Sequence, residues 1–326
     1  MEDKRTTWVN KPKAWSVSRR TLMEQCPRAW ALKYGFARRN TRTFNRILTE
    51  VSDWSSPWRL MLRALRGVII ERLELASTGK NWSEKDLASR IRFRIIGSLE
   101  RQRGTTRIIE KRIGVSSRLK MKVGKQEIAR LVEIACHRFN AVMACEPISS
   151  ILEGKITDWF IADRLEKTSL DRYKLHVAPD IAWRKGRRWH LLRLAMQGGK
   201  KPGPEKVLES MSMVLWALSN SGMPVLAERY EVSSLTWNRG SWRKWSMTAN
   251  DEQVKAATEL IKLDMKAMCD LHYRLGPSCD LSQMPLATNS RNCTNCGHID
   301  TCPGGEDLHR ARLEQAALEM AKATKS

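Results

Sequence analysis

Three cysteines near the C-terminus have a spacing that is typical of metal-binding loops. Cys293 and Cys296 form a C-x2-C pair, and Cys302 follows after five further residues. This spacing lets a short loop direct several thiolates toward one soft metal centre. A fourth ligand is then needed, and the candidates are Cys26, Cys269, Cys279 and His298. Zinc would be satisfied by the three cysteines with His298, whereas an iron–sulfur cluster normally takes a fourth thiolate, so the spacing alone leaves both centres open.

A motif near the N-terminus bears on this choice. Ser16-Val17-Ser18 is followed by Leu22, then by Cys26-Pro27-Arg28 and by Trp30. The run resembles the opening helix of RecB-like PD-(D/E)XK nucleases with an iron–sulfur staple, a group that includes AddB-type and CRISPR adaptation exonucleases. In that family one cysteine of this helix joins three C-terminal cysteines spaced C-x2-C-x5-C. The resemblance implies that a 4Fe-4S cluster is bound by Cys26, Cys293, Cys296 and Cys302. Such a clip would close a loop of nearly the whole chain and stabilise the fold.

The same resemblance implies where a nuclease site would lie. The family pairs an Asp at a strand end with an acidic residue and a Lys, two apart on the next strand, to hold Mg2+ and activate water. In this chain Asp180 matches the first position, but Arg193 stands at the acidic position and Ala195 at the Lys position. The family's early helical Gly-x-x-His matches Gly67 to Ile70, so an Ile replaces the metal-ligand His.

One carboxylate beside an arginine is not expected to hold a catalytic cation. The guanidinium of Arg193 would compete for the Asp180 carboxylate and would repel Mg2+. We therefore predict that the site does not cleave nucleic acid. An ion pair between the two side chains would instead leave a neutral or cationic pocket that can receive a phosphate.

The alternative is an active metal-dependent exonuclease with relocated residues. Glu153-Gly154-Lys155 is an ExK triplet, Glu71 follows the lost His, and Lys200 and Lys201 lie close in sequence. Against this reading, Glu153 precedes Asp180 instead of following it, and such triplets are common in a highly charged chain.

The charge balance argues for a polyanionic partner. The 326 residues include 58 Lys and Arg against 35 Asp and Glu, which leaves a formal net charge of +23. Nucleic acid is the usual partner of such a surplus, and a basic run extends from Arg101 to Lys125. We expect contacts with DNA from Arg101, Arg103, Arg118, Lys120, Lys122, Lys125, Arg193, Lys200 and Lys201. A second alternative is a protein–protein adaptor whose positive charge serves an acidic partner.

Apolar periodicity predicts helices and strands in one chain. Helical spacing runs from Leu60 to Leu73, from Ile128 to Phe139, over 204–219 and over 251–274, and an opening helix contains Cys26. Strands are predicted over 174–183, 188–194 and 224–235. With the resemblance, this indicates an α/β fold: a restriction-endonuclease-like mixed sheet flanked by helices, with a large helical insertion and a C-terminal iron–sulfur clip.

Four regions are expected along the chain. Residues 1–50 would hold the cysteine helix and a basic segment, 51–150 the helical insertion, 151–248 the PD-(D/E)XK-like core, and 249–326 the C-terminal helix and cysteine cluster.

Composition excludes a disordered or membrane-spanning chain. Hydrophobic residues make up 42% of the sequence, which is enough to bury a core, and no run of about 18 apolar residues occurs. The N-terminus is charged from Glu2 onward and lacks the apolar stretch of a signal peptide. We expect a cytoplasmic protein that joins protein partners in a prokaryotic or phage DNA-processing or defence complex.

Overall fold

A computed structural model describes residues 11–35, 54–80, 82–113, 123–198, 203–275, 281–287, 289, 291–294, 296–298 and 302. Its helices are α1 (Val17–Gln25), α2 (Pro27–Trp30), α3 (Pro57–Ser77), α4 (Leu87–Ile113), α5 (Lys125–Met143), α6 (Ile148–Leu152), α7 (Pro204–Leu218), α8 (Asp251–Leu275) and α9 (Arg291–Thr294). Its strands are β1 (Ala14–Trp15), β2 (Trp159–Ile161), β3 (Thr168–Leu170), β4 (Tyr173–Leu175), β5 (Ile181–Lys185), β6 (Arg188–Ala195), β7 (Tyr230–Asn238) and β8 (Ser241–Thr248).

Local sequence signals explain where several helices begin. The Ser16 hydroxyl accepts a hydrogen bond from the Arg19 amide at the start of α1. Ser56 caps α3 in the same way, and Pro57 and Pro204 occupy the first turns of α3 and α7, where the missing N–H costs nothing. These caps satisfy amides that would otherwise lack partners.

Two sheets organise the described strands. The larger has the order β2-β5-β6-β7-β8, in which β6 and β7 run parallel and the other pairs are antiparallel. The parallel pair is joined through α7, as a crossover requires. The smaller has the order β1-β4-β3. The chain is therefore a mixed α/β protein, as the sequence predicts.

Helices cover both faces of the larger sheet. Leu191 of β6 belongs to a core with α7 and α8, whereas Leu192, the next residue, belongs to a second core with α3, α4 and α5. This alternation follows from the two-residue period of a strand. The region around β6 is thus buried on both sides, which fixes the side chains at its end.

In the part of the chain that the structure describes, no helix combines the length and the apolar character needed to cross a membrane.

Three predicted elements differ from the observed ones. The opening helix breaks at Cys26, because Pro27 has no N–H with which to continue α1. The strand predicted over 174–183 is divided between β4 and β5, which lie in different sheets. The strand predicted from residue 224 begins at Tyr230, after a 3-10 turn over Ala227–Arg229.

Candidate functional site

Asp180 lies at the edge where β5 begins and β6 ends. Its amide donates to the carbonyl of Leu192 at 2.8 Å, and its Oδ2 accepts a hydrogen bond from the amide of Leu194 at 2.7 Å. The side chain has no exposed surface. The hairpin of β5 and β6 thus holds the carboxylate rigidly beside the residues that match the nuclease motif.

Three arginines from three different elements surround this carboxylate. Arg66 of α3 donates to Asp180 Oδ1, and Nε of Arg164 lies 3.2 Å from the same oxygen. On β6, Nη1 of Arg193 lies 3.7 Å from Oδ2. The ion pair between Arg193 and Asp180 that the sequence predicts is therefore present, with two additional cations.

Glu209 of α7 extends this group of charges. Its Oε1 lies 3.3 Å from Nε of Arg193, and its Oε2 lies 2.8 Å from Nζ of Lys206. We call Arg66, Arg164, Asp180, Arg193, Lys206 and Glu209 the arginine pocket. It contains four cationic and two carboxylate side chains.

The loop after β2 positions Arg164. The amide of Ala162 donates to the carbonyl of Asp180 at 3.2 Å, and a turn follows in which the amide of Leu165 donates to Asp163 Oδ1 at 2.8 Å. On α7, the indole N–H of Trp216 donates to Glu166 Oε2 at 3.1 Å. This loop is anchored at both of its ends, so Arg164 is held over Asp180.

The pKa values in the pocket reflect the crowding of cations. Burial raises the pKa of Asp180, but Arg193, Arg164 and Arg66 outweigh it and the pKa lies below its usual value. Burial of the guanidinium first, and the charge of Arg193 second, lower the pKa of Arg164 to about 10, although the charge of Asp180 opposes them. Asp180 is therefore ionised and Arg164 protonated at pH 7.

The other motif positions supply no metal ligand. Ala195 is the last residue of β6, and Ile70 packs against the core between α3 and the sheet. One carboxylate paired with guanidinium groups attracts an anion and repels a divalent cation.

The residues that the alternative of relocated catalysis would use form ion pairs away from Asp180. Glu153 and Lys155 form an ion pair with each other in the exposed turn after α6. Glu71 of α3 pairs with Arg90 and Arg94 of α4. Among the described residues, no group of three or more His, Cys, Asp and Glu side chains is arranged to hold a metal ion.

The cysteines from the two ends of the chain lie together. Cys26 belongs to a small buried cluster with Ala29 and Ala287, and Cys293 and Cys296 pack against it. Cys26 follows α1 and caps α2, where its sulfur accepts a hydrogen bond from the Ala29 amide at 3.4 Å. The break in the opening helix thus directs this thiol toward the C-terminal loop.

The thiol of Cys302 lies close enough to the other three thiols to interact with them electrostatically. Burial, followed by the neighbouring thiols of Cys26, Cys302 and Cys293, raises the pKa of Cys296 to about 11, against a hydrogen bond from the His298 backbone. Burial and Cys26 likewise raise the pKa of Cys302. The four cysteines named by the sequence are thus neighbours. Cys269 belongs to α8, where its thiol donates weakly to the carbonyl of Pro12, and Cys279 lies outside the described residues.

Arg28 fastens the C-terminal segment to the N-terminal helices. Its Nε donates to the carbonyl of Met284 at 2.7 Å, and its Nη2 donates to that of Ser282 at 2.9 Å. The side chain also hydrogen-bonds the Cys302 thiol. Asn292 adds a hydrogen bond to the carbonyl of Gln25 at 3.3 Å. Hydrogen bonds within the protein therefore join residues 25 and 28 to residues 282, 284, 292 and 302.

The basic run is described in part. Arg101 and Arg103 are exposed on α4, and Lys125 is exposed at the start of α5. The remaining predicted contacts of this kind lie outside the described residues: Arg118, Lys120, Lys122, Lys200 and Lys201. Arg193 is buried in the arginine pocket instead of lying on an open surface.

The exposed cations of helix α4 begin before the start of the basic run in the sequence. Arg92, Arg103, Arg107 and Lys111 are exposed and fall within about 100° of one another around the helix axis, over a length of about 28 Å. The same arc also contains two carboxylates, Glu100 and Glu110, so the cations exceed the carboxylates on it by two. Phe93 lies on the same side and is 79% exposed. We call these residues the α4 basic face.

Sequence reasoning missed Arg66, Arg164 and Glu209. The signal for Arg66 was its place one helical turn before Ile70, the position that the resemblance aligns with a metal-ligand His. Arg164 and Glu209 had no comparable signal, because each approaches Asp180 only through the tertiary fold.

Comparison with known proteins adds little. No family model matches the chain, and no curated protein matches it. A solved structure described as "Crystal structure of SSO0001" is similar with 12% sequence identity and a TM-score of 0.28, over 74% of this chain and 96% of that chain. A TM-score of this size carries no argument about fold or function.

Proposed function

We propose that this chain is a nuclease-derived DNA-binding protein that has lost cleavage. The arginine pocket carries the proposal: the carboxylate that matches the nuclease motif is paired with three guanidinium groups. Mg2+ needs several free oxygen ligands, and Asp180 offers its two oxygens to Arg66, Arg164, Arg193 and the Leu194 amide instead. A site with this charge is suited to an anion such as a phosphate.

The α4 basic face supports nucleic acid as the ligand. Exposed cations along one helix can neutralise successive phosphates, and this term dominates the affinity of nucleic-acid binding. Phe93 adds an exposed aromatic ring among these cations, and aromatic rings stack on unpaired bases.

A structural 4Fe-4S cluster is part of the proposal. Cys26, Cys293, Cys296 and Cys302 would hold it. Two observations support this ligand set: Cys293 and Cys296 pack against the small buried cluster of Cys26, and the thiols of Cys26, Cys302 and Cys293 contribute to the raised pKa of Cys296. Bound there, the cluster would tie the N-terminal helices to the C-terminal loop. Zinc held by Cys293, Cys296, His298 and Cys302 is the competing assignment, and metal analysis distinguishes the two.

We place the protein in a prokaryotic or phage DNA-processing or defence complex. A DNA-binding subunit without cleavage acts by holding DNA for partner proteins. The active exonuclease and the adaptor remain the alternatives, and the contacts of Glu153, Lys155 and Glu71 do not favour relocated catalysis.

The salt dependence of DNA binding tests this proposal. We expect log affinity for single- and double-stranded DNA to fall linearly with log salt, by about 0.7 to 0.9 per phosphate contact. Arg103→Ala with Arg107→Ala should weaken binding to all sequences alike and reduce this slope. Lys255→Ala with Lys266→Ala, which removes the same charge from exposed positions of α8 on the opposite face of the sheet, should leave the slope unchanged. Undetectable or salt-independent binding would favour the adaptor.

A further inference from the structure

The arginine pocket has an unbalanced charge. Ion pairs of 3.7 Å or less link its four cations to its two carboxylates, so the cations exceed the carboxylates by two at pH 7. Uncompensated charge next to a buried residue is costly unless a ligand or solvent balances it. An anion with two negative charges would match this excess.

Buried donors in the pocket also lack acceptors. Nε and Nη1 of Arg193 face carboxylate oxygens at 3.3 and 3.7 Å, yet neither atom makes a hydrogen bond to any described residue. Nε of Arg66 is buried and also makes no hydrogen bond to any described residue. On β7, Ser234 is the register partner of Arg193, and its buried hydroxyl likewise makes no hydrogen bond within the described part of the chain. Phosphate oxygens accept from guanidinium and hydroxyl groups of this kind.

The side chains of the arginine pocket differ in how far they are exposed to solvent. The side chain of Arg164 is 42% exposed and that of Arg66 is 27% exposed, whereas Arg193 is 8% exposed and Asp180 is fully buried. A phosphodiester within a strand carries one charge and is flanked by a sugar on each side. It can reach Arg164 and Arg66 from the solvent, but the deeper Arg193 requires a narrower group.

We propose that the arginine pocket binds a terminal phosphate monoester of a nucleic-acid strand. A phosphate monoester carries close to two negative charges at pH 7 and has three free oxygens. It is attached to the strand on one side only, so it can enter beyond Arg164 and Arg66 toward Arg193. The proposal deepens the proposed function and rests on it, since the pocket would recognise phosphorylated ends of the bound DNA.

Competition between oligonucleotides of one sequence tests this inference. The competitors carry a 5′-phosphate, a 3′-phosphate or hydroxyl groups at both ends, and each displaces a labelled DNA from the anaerobically purified protein. We expect one phosphorylated end to compete about tenfold better than the hydroxyl ends, the factor that one charge-assisted hydrogen bond supplies. The better competitor identifies which end is bound.

Two variants test whether the preference for a phosphorylated end depends on the arginine pocket. Arg164→Ala should abolish it, and Arg187→Ala, which removes the same charge from the exposed turn at the far end of the β5–β6 hairpin, should keep it. Equal competition by all three oligonucleotides against the wild-type protein would overturn the inference and leave the proposed function standing. A preference that survives in a folded Arg164→Ala variant would also overturn it. Failure of the protein to bind any of the labelled DNA would overturn the proposed function itself.

Discussion

At the scale of single residues, the partners of the Asp180 carboxylate determine whether the site can bind a metal ion. An aspartate that binds a metal keeps its oxygens free and exposed to the ion, whereas both oxygens of Asp180 are engaged by cations or by a backbone amide. The sequence predicted one of these partners, Arg193, because it stands at the acidic position of the motif. Arg66 and Arg164 were missed, since side chains from distant segments leave no local pattern.

Asp180→Asn should destabilise the fold in a pH-dependent way. The change removes the one buried negative charge among three arginines, and we expect a loss of about 3 kcal/mol in the free energy of unfolding near pH 7, the lower end of the range for broken buried pairs. The partial exposure of Arg66 and Arg164 favours that lower end. Urea denaturation measures it, and Asp270→Asn, at an exposed position of α8, is the control.

The pH profile gives the sign of this effect. Because the pKa of Asp180 is lowered in the folded protein, its ionised form stabilises the fold above the ordinary aspartate pKa of about 3.9. The difference between wild type and Asp180→Asn should therefore be constant above about pH 5 and shrink below about pH 4. A difference that changes between pH 5 and pH 8 would indicate a raised pKa and contradict the arginine pocket.

Cys26→Ser should release the proposed 4Fe-4S cluster. Loss of one thiolate weakens a cluster held by four, so we expect the variant to lose most of its iron and the broad visible absorbance of the wild-type protein. Cys269→Ser, a cysteine of α8, should keep both. Iron and zinc analysis of anaerobic protein decides the centre: zinc without iron, or a Cys26→Ser variant with full iron, would contradict the 4Fe-4S assignment.

At the scale of elements, periodicity located most helices but not every boundary. The helices α3, α5, α7 and α8 lie close to where apolar spacing places them, since each buries one continuous stripe. Strand β8 had no clear signal, because its two tryptophans, Trp242 and Trp245, are three residues apart and do not follow the two-residue period of a strand. Its turn uses Arg239 and Gly240 with positive φ in place of the usual Asn-Gly.

Arg28→Ala should loosen the attachment between the chain ends. The buried guanidinium donates to two backbone carbonyls of the C-terminal segment, and we expect its loss to cost about 2 kcal/mol in the free energy of unfolding and to lower iron occupancy. Arg28→Lys should recover only part of both, because an ammonium cannot reproduce the fork of a guanidinium. The exposed Arg187→Ala serves as control, and full stability and iron in Arg28→Ala would show that the cysteines alone form the attachment.

At the scale of the whole molecule, two cores on either side of one sheet fix the pocket between them. Arg66 comes from the helices on one face, Glu209 from the helix on the other, and Asp180 and Arg193 from the strand ends. The formal net charge of the chain is +23, whereas the cations of the arginine pocket exceed its carboxylates by only two, so most of the surplus lies elsewhere. In the proposed function, the α4 basic face is the exposed surface that contacts the rest of the DNA. Composition predicts a polyanionic partner, and that stays a prediction, whereas the fold shows which of the described cations are buried and which are exposed.

The central claim is that the protein binds DNA without cutting it. The direct measurement incubates anaerobically purified protein with single- and double-stranded DNA in Mg2+ or Mn2+, and follows retention and strand length together. We predict that single- and double-stranded DNA both remain at full length throughout the incubation. We also predict that the protein retains at least one of the two. Metal-dependent cleavage by the wild-type protein that disappears in Asp180→Ala would contradict the claim, because it would show that this carboxylate holds a catalytic metal despite its three arginine partners.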